Sequence, residues 1–340
     1  MTATEIGERD FPALLPTRAD RTHRRRVDAM GCRAELFAVG GTARLLDTGQ
    51  QLLNELEQRW SRFLPTSDLS RINASAGTSV HVHWSTRDVL LFAVAAWRAT
   101  DGAFDPTVHA AIEAYGYNKS FEKLASTPRL NSVLPVGPTP GCDGIVIDAD
   151  ACTVRVPHGV SLDLGGIGKG YAADVIVAAL RSEGAHGAMV NIGGDIRVDG
   201  EPPIDDTWDI QIENSFDEHR PLGHLRIIDG AAATSSPLVR RWARGAQSVH
   251  HMFDPRVGGP SKSGIAQVTV LAGAGWWAEA LTKAVVVGGA DAALATIARL
   301  GAGSHAVLVR DDRGVVTTPL MSRFFKAEVA TTGKEQWVQQ

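Results

Sequence analysis

Four glycines, one lysine and one aspartate fall together in Asp163-Leu164-Gly165-Gly166-Ile167-Gly168-Lys169-Gly170. An apolar extended run over residues 159–164 leads into this stretch, and a helical pattern over about 171–180 leads out of it. Glycine lets a ligand approach backbone N–H groups closely. A helix beginning just after such a loop offers free donors and partial positive charge, which suits a phosphate. Lys169 adds a full charge, and Asp163 adds an acceptor for a base edge, a hydroxyl or a metal-bound water. The segment reads as a site for a phosphorylated ligand. It is not a P-loop, because Gly170 stands where G-x-x-x-x-G-K-[ST] needs Ser or Thr, and Asp163 where it needs the first glycine. Nor is it a dinucleotide fingerprint, since Tyr171 occupies the last glycine position. A plain glycine-rich strand-to-helix turn is the alternative, and spacing alone names no ligand.

The elements that must position this loop follow from periodicity. Residues 33–39 read as extended, and 42–63 as a helix with Leu45, Leu46, Leu52, Leu53 and Leu56 on one stripe. A second helix over 86–100 ends at Asp101-Gly102. Pro106 biases Asp105 away from helix, which predicts an exposed turn there. Residues 118–141 read as a long surface loop, and 144–148 with 153–156 as a hairpin. Beyond the glycine loop, 189–198 reads as strand, glycine bend and strand, followed by strands over 208–213, 224–228, 231–236 and 267–271. Helices over 277–287 and 291–300 and a closing hairpin over 307–317 complete the pattern. Hairpin-linked strands interspersed with helices predict an α+β fold with a largely antiparallel sheet. Phe104-Asp105-Pro106 and Phe253-Asp254-Pro255 echo one another, but their flanks share nothing, so the echo reads as chance or convergent turn chemistry.

With 340 residues, 44% of them hydrophobic and 21% charged, the chain has the composition of a soluble globular protein. A net charge of −4 argues against general nucleic-acid binding. The basic run His23-Arg24-Arg25-Arg26 reads as part of a flexible arm over residues 1–26, ahead of one folded domain over 27–335. Three cysteines, Cys32, Cys142 and Cys152, make neither an even disulfide framework nor a C-x-x-C pair, and read as free thiols. Residues 1–30 show no apolar signal segment, and no run approaches the length of a membrane helix, so a cytoplasmic protein with no membrane segment is expected.

Taken in order, these motifs resemble the ApbE family, the FAD:protein FMN transferases. The resemblance runs from about Met30 to Gly289. It is carried by Met30-Gly31, Ser67-Asp68-Leu69-Ser70-Arg71-Ile72-Asn73, Asp101-Gly102-Ala103-Phe104-Asp105-Pro106-Thr107, the glycine loop, Asn191-Ile192-Gly193-Gly194-Asp195, Ala233-Thr234-Ser235, His251-Met252-Phe253-Asp254-Pro255 and Ala278-Glu279-Ala280-Leu281. It implies cleavage of the FAD pyrophosphate and transfer of FMN to a Ser or Thr of an acceptor protein, with AMP released. It also implies roles: Met30 and Phe63 holding the isoalloxazine, Ala103, Phe104 and Asp105 lining the adenosine end, and Asp163 and Lys169 contacting FAD. Phe253 would lie beside the flavin, where the family usually has Ile, and His251 would act as base on the incoming hydroxyl. FAD pyrophosphatase activity, with water as acceptor, and an FAD-binding protein without catalysis are the alternatives.

One departure concerns the metal. The resemblance implies Mg²⁺ held by the Gly166 carbonyl and by an Asp and a Thr four residues apart on a helix. Here Glu279 replaces the Asp and Lys283 the Thr, with Thr282 one place earlier. Either Glu279 and Thr282 still hold Mg²⁺ with shifted geometry, or the Lys283 ammonium takes the cation's place. An ordinary i, i+4 helix ion pair is the bland reading.

Overall fold

In the computed structural model, the described residues are 17–124, 136–244, 247–300, 303–327 and 337–339. Their centre is a nine-stranded sheet. In spatial order it runs Thr22–Ala29, Cys32–Val39, Gly187–Ile192, Asp195–Gly200, Gly230–Ser235, Ile265–Ala272, His305–Arg310, Val315–Thr317 and Trp337–Gln339. Neighbours pair antiparallel apart from the last pair, which is parallel. The expected α+β class with a largely antiparallel sheet is what is found.

The expected arm is corrected at its C-terminal end. Residues 22–26 open the sheet's first strand, Thr22–Ala29, in which Arg24, Arg26 and Asp28 are exposed and the residues between them turned inward. Glu35 on the neighbouring strand binds Arg24 at 2.9 Å and Arg26 at 2.6 Å, and Asp47 binds Arg25 at 2.8 Å. The basic run is thus a period-two edge strand whose charges meet carboxylates remote in sequence. Residues 1–16 of the expected arm, 125–135 of the expected surface loop and 328–335 of the expected domain lie outside the described residues.

Helices cover the sheet. They are α1 Leu45–Trp60, α2 Asp68–Ala74, α3 Trp84–Ala99, α4 His109–Ala114, α5 Phe121–Leu124, α6 Gly168–Ser182, α7 Gly275–Gly288 and α8 Ala293–Leu300. The buried residues of α1 are Leu45, Leu46, Gly49, Leu53, Leu56 and Trp60, the 3.6-residue stripe of an amphipathic helix. It stops at Trp60, so Phe63 stands on the following turn rather than on the helix. Helix α2 follows Pro65 after a short turn. Ser67 caps it by accepting from the Ser70 N–H, and Asp68 fixes its surroundings by accepting from Thr86 Oγ1 at 2.8 Å.

Helix α7 is buried around most of its circumference, so any polar side chain on it must find internal partners. It crosses α6 near both N-termini. A Cβ built on Gly170 would stand 2.2 Å from the Gly275 carbonyl oxygen, and one on Gly275 would stand 2.4 Å from the Gly170 oxygen. Each helix also caps the other. Asp174 of α6 accepts from the Gly275 and Trp276 N–H groups at 2.7 and 3.0 Å, and Glu279 of α7 accepts from the Gly170 N–H at 2.8 Å. The last glycine of the loop therefore serves helix packing. Gly170→Ala is expected to destabilise the protein by about 1–3 kcal/mol, the usual cost of overpacking, read as a lower urea midpoint at unchanged m. An unchanged midpoint would contradict the close contact.

Candidate functional site

The site forms at one end of the sheet, where two tight hairpin turns lie side by side. Met30-Gly31 joins the first two strands with φ of 52° and 66°, and Gly193-Gly194 joins the next pair with φ of 61° and 94°. Positive φ at both central residues is the hairpin geometry that matches strand twist. Met30, unlike glycine, bears a steric cost in that region. Its N–H is held by Glu57 of α1 at 2.8 Å, and the Gly31 oxygen accepts from Arg240 Nη2 at 2.9 Å. The Met30 side chain is thereby presented to a cavity.

That cavity has a volume of about 1000 Å³. Its walls gather Met30, Phe63, Ala103, Phe104, Asp105, Asp163, Gly166, Lys169, His251, Phe253 and Lys283 from distant parts of the chain. Glu279 and Thr282 are fully buried behind the wall. The glycine loop, the 103–107 turn and the 251–255 turn thus border a single space. Several of its wall residues have no counterpart in the motif reading. Arg62 lies over the rings of Phe63 and Tyr117, 4.4 and 4.6 Å from their centroids, and forms a 2.9 Å ion pair with Asp163. Arg240 also lines the cavity, and among the described residues it has no ion pair. An arginine just before an aromatic, and the first arginine of an Arg-Arg-Trp run, were the available signals at Arg62 and Arg240; neither carries a motif.

The 103–107 and 251–255 turns are both aspartate turns. Asp105 is buried rather than exposed, because Oδ1 accepts from the Thr107 N–H and hydroxyl, both at 2.7 Å, and Oδ2 accepts from Thr139 Oγ1. Asp254 accepts from the Arg256 N–H at 2.9 Å and pairs with its guanidinium at 2.7 Å. The Thr139 N–H donates to the Pro255 oxygen at 2.8 Å, so one residue ties the two turns together. Their likeness is shared turn chemistry.

The glycine loop departs from the phosphate cradle expected of it. Helix α6 begins at Gly168, which puts Lys169 in its first turn. There Lys169 Nζ contacts Asp195 and lies 3.0 Å from Glu279 Oε1, while Gly170 N–H is taken by Glu279 Oε2. A carboxylate of the protein thus occupies part of the helix N-terminus. Gly165 N–H is likewise engaged, at 2.6 Å from Asp163 Oδ1. Gly166 keeps room for the Phe104 ring, since a Cβ there would lie 3.1 Å from it.

Lys283, one turn along α7 from Glu279, places Nζ 3.5 Å from Glu279 Oε1 and 3.0 Å from Ser235 Oγ. Thr282 Oγ1 donates to the Glu279 main-chain oxygen at 2.7 Å and is 2.7 Å from Ser235 Oγ. Burial alone would raise the Glu279 pKa, but the Lys169 and Lys283 ammoniums and the Gly170 N–H outweigh it and hold the carboxyl below its ordinary value. Burial pulls Lys283 down, with Glu279 opposing. This donor set does not fit Mg²⁺. The ion needs near-octahedral oxygen ligands at about 2.0–2.1 Å, whereas Glu279 is clasped by two ammoniums and an N–H, and the Thr282 hydroxyl is already engaged.

His251 completes the wall. Its Nδ1 is buried and has no hydrogen-bond partner among the described residues. Burial, then the nearby charges of Arg240 and Lys283, push its pKa down to about 3. The imidazole is neutral, with a ring nitrogen uncommitted.

The ApbE family model matches residues 30–308. The FAD:protein FMN transferase of Haemophilus influenzae is 26% identical over 275 residues, covering 79% of this chain and 79% of that protein. The FAD:protein FMN transferase of Rhodobacter capsulatus is 30% identical over 278 residues, covering 78% of this chain and 50% of that protein. Among solved structures, the ApbE protein of Thermotoga maritima superposes with a TM-score of 0.78 at 25% identity, covering 90% of this chain and 99% of that one. With the family model spanning both hairpin turns, the glycine loop, His251 and all of α7, the chain belongs to the ApbE family.

Proposed function

We propose that this protein is an FAD:protein FMN transferase, which binds FAD along the cavity and moves FMN onto a Ser or Thr hydroxyl of an acceptor protein. The observation that carries the reading is the uncommitted Nδ1 of His251 in the wall of a cavity that also presents Met30, Phe63 and Phe104. In this reading the isoalloxazine lies between Met30 and Phe63, with Arg62 and Tyr117 stiffening the Phe63 side. The adenosine end lies against Ala103, Phe104 and Asp105, and Asp163 and Lys169 contact FAD between the two ends. Phe253, edge-on to Tyr115 at 5.2 Å, closes the flavin side. The acceptor's hydroxyl oxygen bonds to the FMN-side phosphorus. The bridging P–O bond breaks with its electron pair going to AMP, and the hydroxyl proton passes to His251.

A hydroxyl is a weak nucleophile at neutral pH and needs such a base. A base with a pKa near 3 is weak, but two of the depressing charges, Arg240 and Lys283, face the cavity. A bound pyrophosphate brings negative charge against them and raises the basicity of His251 when it is needed. Among the described residues no helix is long and apolar enough to cross a membrane. A cytoplasmic setting is part of the proposal, supported by three free cysteines, as expected of a reducing compartment.

Incubation with FAD and a candidate acceptor tests the reading. Covalent flavin on the acceptor is expected; free FMN and AMP without an adduct would mean hydrolysis, and unchanged FAD would contradict catalysis. His251→Ala should retain FAD and slow transfer by about 10²–10⁴-fold, the range for a lost general base. Full activity in that variant would place the base elsewhere.

The same histidine gives a pH expectation. In the unfolded chain His251 takes up a proton near the ordinary 6.5, but in the fold only near about 3. Between those values the unfolded state binds more protons, so the contribution of His251 to stability is present above 6.5 and lost as pH falls towards 3. His83, His109, His250 and His305 are also lowered, chiefly by burial, and add the same sign. Chemical unfolding across this range should show stability falling with acid, and His251→Gln should flatten the slope. An identical slope in that variant would contradict the buried neutral imidazole.

A further inference from the structure

We propose that the Lys283 ammonium stands in the place of a divalent cation, and that cleavage of FAD by this protein needs no Mg²⁺. The inference rests on the transferase reading and specifies its electrostatics. Lys283 is the group on α7 that reaches the cavity, whereas Glu279 and Thr282 stay behind it. Its stem lies along the glycine loop, with Cε 3.6 Å from where a Gly166 Cβ would be. Nζ is fixed by Ser235 Oγ at 3.0 Å and Glu279 Oε1 at 3.5 Å. An ammonium has three N–H donors. Two are directed to these oxygens, which leaves one for a phosphate oxygen in the cavity.

Charge balance points the same way. Asp195 and Glu279 carry two negative charges, and Lys169 and Lys283 carry two positive ones, all within one contiguous cluster. The cluster is neutral without a metal. A divalent ion at Glu279 would share one carboxylate with two ammoniums and add two positive charges that nothing in the cluster offsets before FAD binds. Removing Lys283 reverses this, leaving Asp195 and Glu279 in excess over Lys169. An acidic helix residue with a lysine at i+4 is also an ordinary surface pair, but here the carboxylate is fully buried and the lysine side chain is only 18% exposed.

During transfer Lys283 makes and breaks no covalent bond. Its remaining N–H donates to a pyrophosphate oxygen, opposing the charge that moves to AMP as the bridging P–O bond breaks. Phosphoryl transfer depends mainly on such neutralisation and positioning. One fixed ammonium, aided by Arg240 on the same cavity wall, supplies it here.

The experiment measures AMP release and acceptor flavinylation by the full-length protein in EDTA and across Mg²⁺ concentrations, together with Mn²⁺ titration of the FAD-loaded protein by electron paramagnetic resonance. Wild type should change by less than about twofold between EDTA and Mg²⁺, with no stoichiometric Mn²⁺ signal from bound ion. The double variant Glu279→Asp with Lys283→Thr should bind Mn²⁺ and lose activity by about tenfold or more in EDTA, with recovery in Mg²⁺. A wild-type rate that collapses in EDTA and returns with Mg²⁺, or one equivalent of Mn²⁺ bound by wild type, overturns the proposal. If the double variant does not fold, the wild-type measurements decide by themselves. No AMP under any condition would overturn the transferase reading, and the Mn²⁺ titration would still decide for or against the lysine.

Discussion

Two buried helices whose N-termini cap one another are the constraint on which the rest of the molecule depends. Glu279 of α7 closes the start of α6, Asp174 of α6 closes the start of α7, and Gly170 against Gly275 brings the two backbones into contact. A carboxylate at a helix N-terminus is favourable on its own, because it meets free N–H groups and the positive end of the dipole. At a buried helix start it becomes obligatory, since an uncapped end would leave donors unsatisfied away from water. Burying Glu279 then requires cations, and Lys169 and Lys283 supply them. Breaking a buried pair from one side leaves an uncompensated charge, at a cost of about 3–5 kcal/mol. The cluster that joins the helices is therefore also what holds Lys283 at the cavity wall.

The other walls are set by different physics. Two glycine-containing hairpin turns put Met30 at the sheet's end, and two aspartate turns linked through Thr139 bring Phe104 and Phe253 to the opposite sides. Asp105 and Asp254 serve these turns with their carboxylates, so the acidic chemistry of the 103–107 and 251–255 segments is structural. The cavity wall is aromatic, cationic and imidazole, with the carboxylates of Asp105 and Asp163 already engaged by Thr107, Thr139 and Arg62. A space with those walls suits a flat conjugated ring joined to a negatively charged linker.

Much of this was legible in the sequence, for identifiable reasons. Strand and helix periods are local, so the antiparallel character of the sheet and the stripe on α1 could be read directly. Ordered motifs brought eleven of the expected site residues to one cavity, because turn glycines and prolines mark the same bends that build it. What escaped was long-range pairing. Arg24 and Arg26 look like a solvated run until Glu35 is placed beside them on the next strand. The glycine loop looks like an empty phosphate cradle until Glu279, 109 residues later, fills the helix N-terminus. Asp195 and Ser235 sat within quoted motifs, yet their role as partners of Lys169 and Lys283 depends on which strand ends adjoin α6 and α7. Arg62, Tyr117 and Arg240 belong to no motif, and only folding brings them to the cavity.

A crystal structure of the His251→Ala variant with intact FAD, grown in the presence of Mg²⁺, would test the central claim most directly. The expected result is a pyrophosphate oxygen within about 3 Å of Lys283 Nζ, the isoalloxazine between Met30 and Phe63, and no ion bonded to Glu279. An Mg²⁺ bound to Glu279 with Lys283 turned out of the cavity, or flavin bound outside that space, would contradict it.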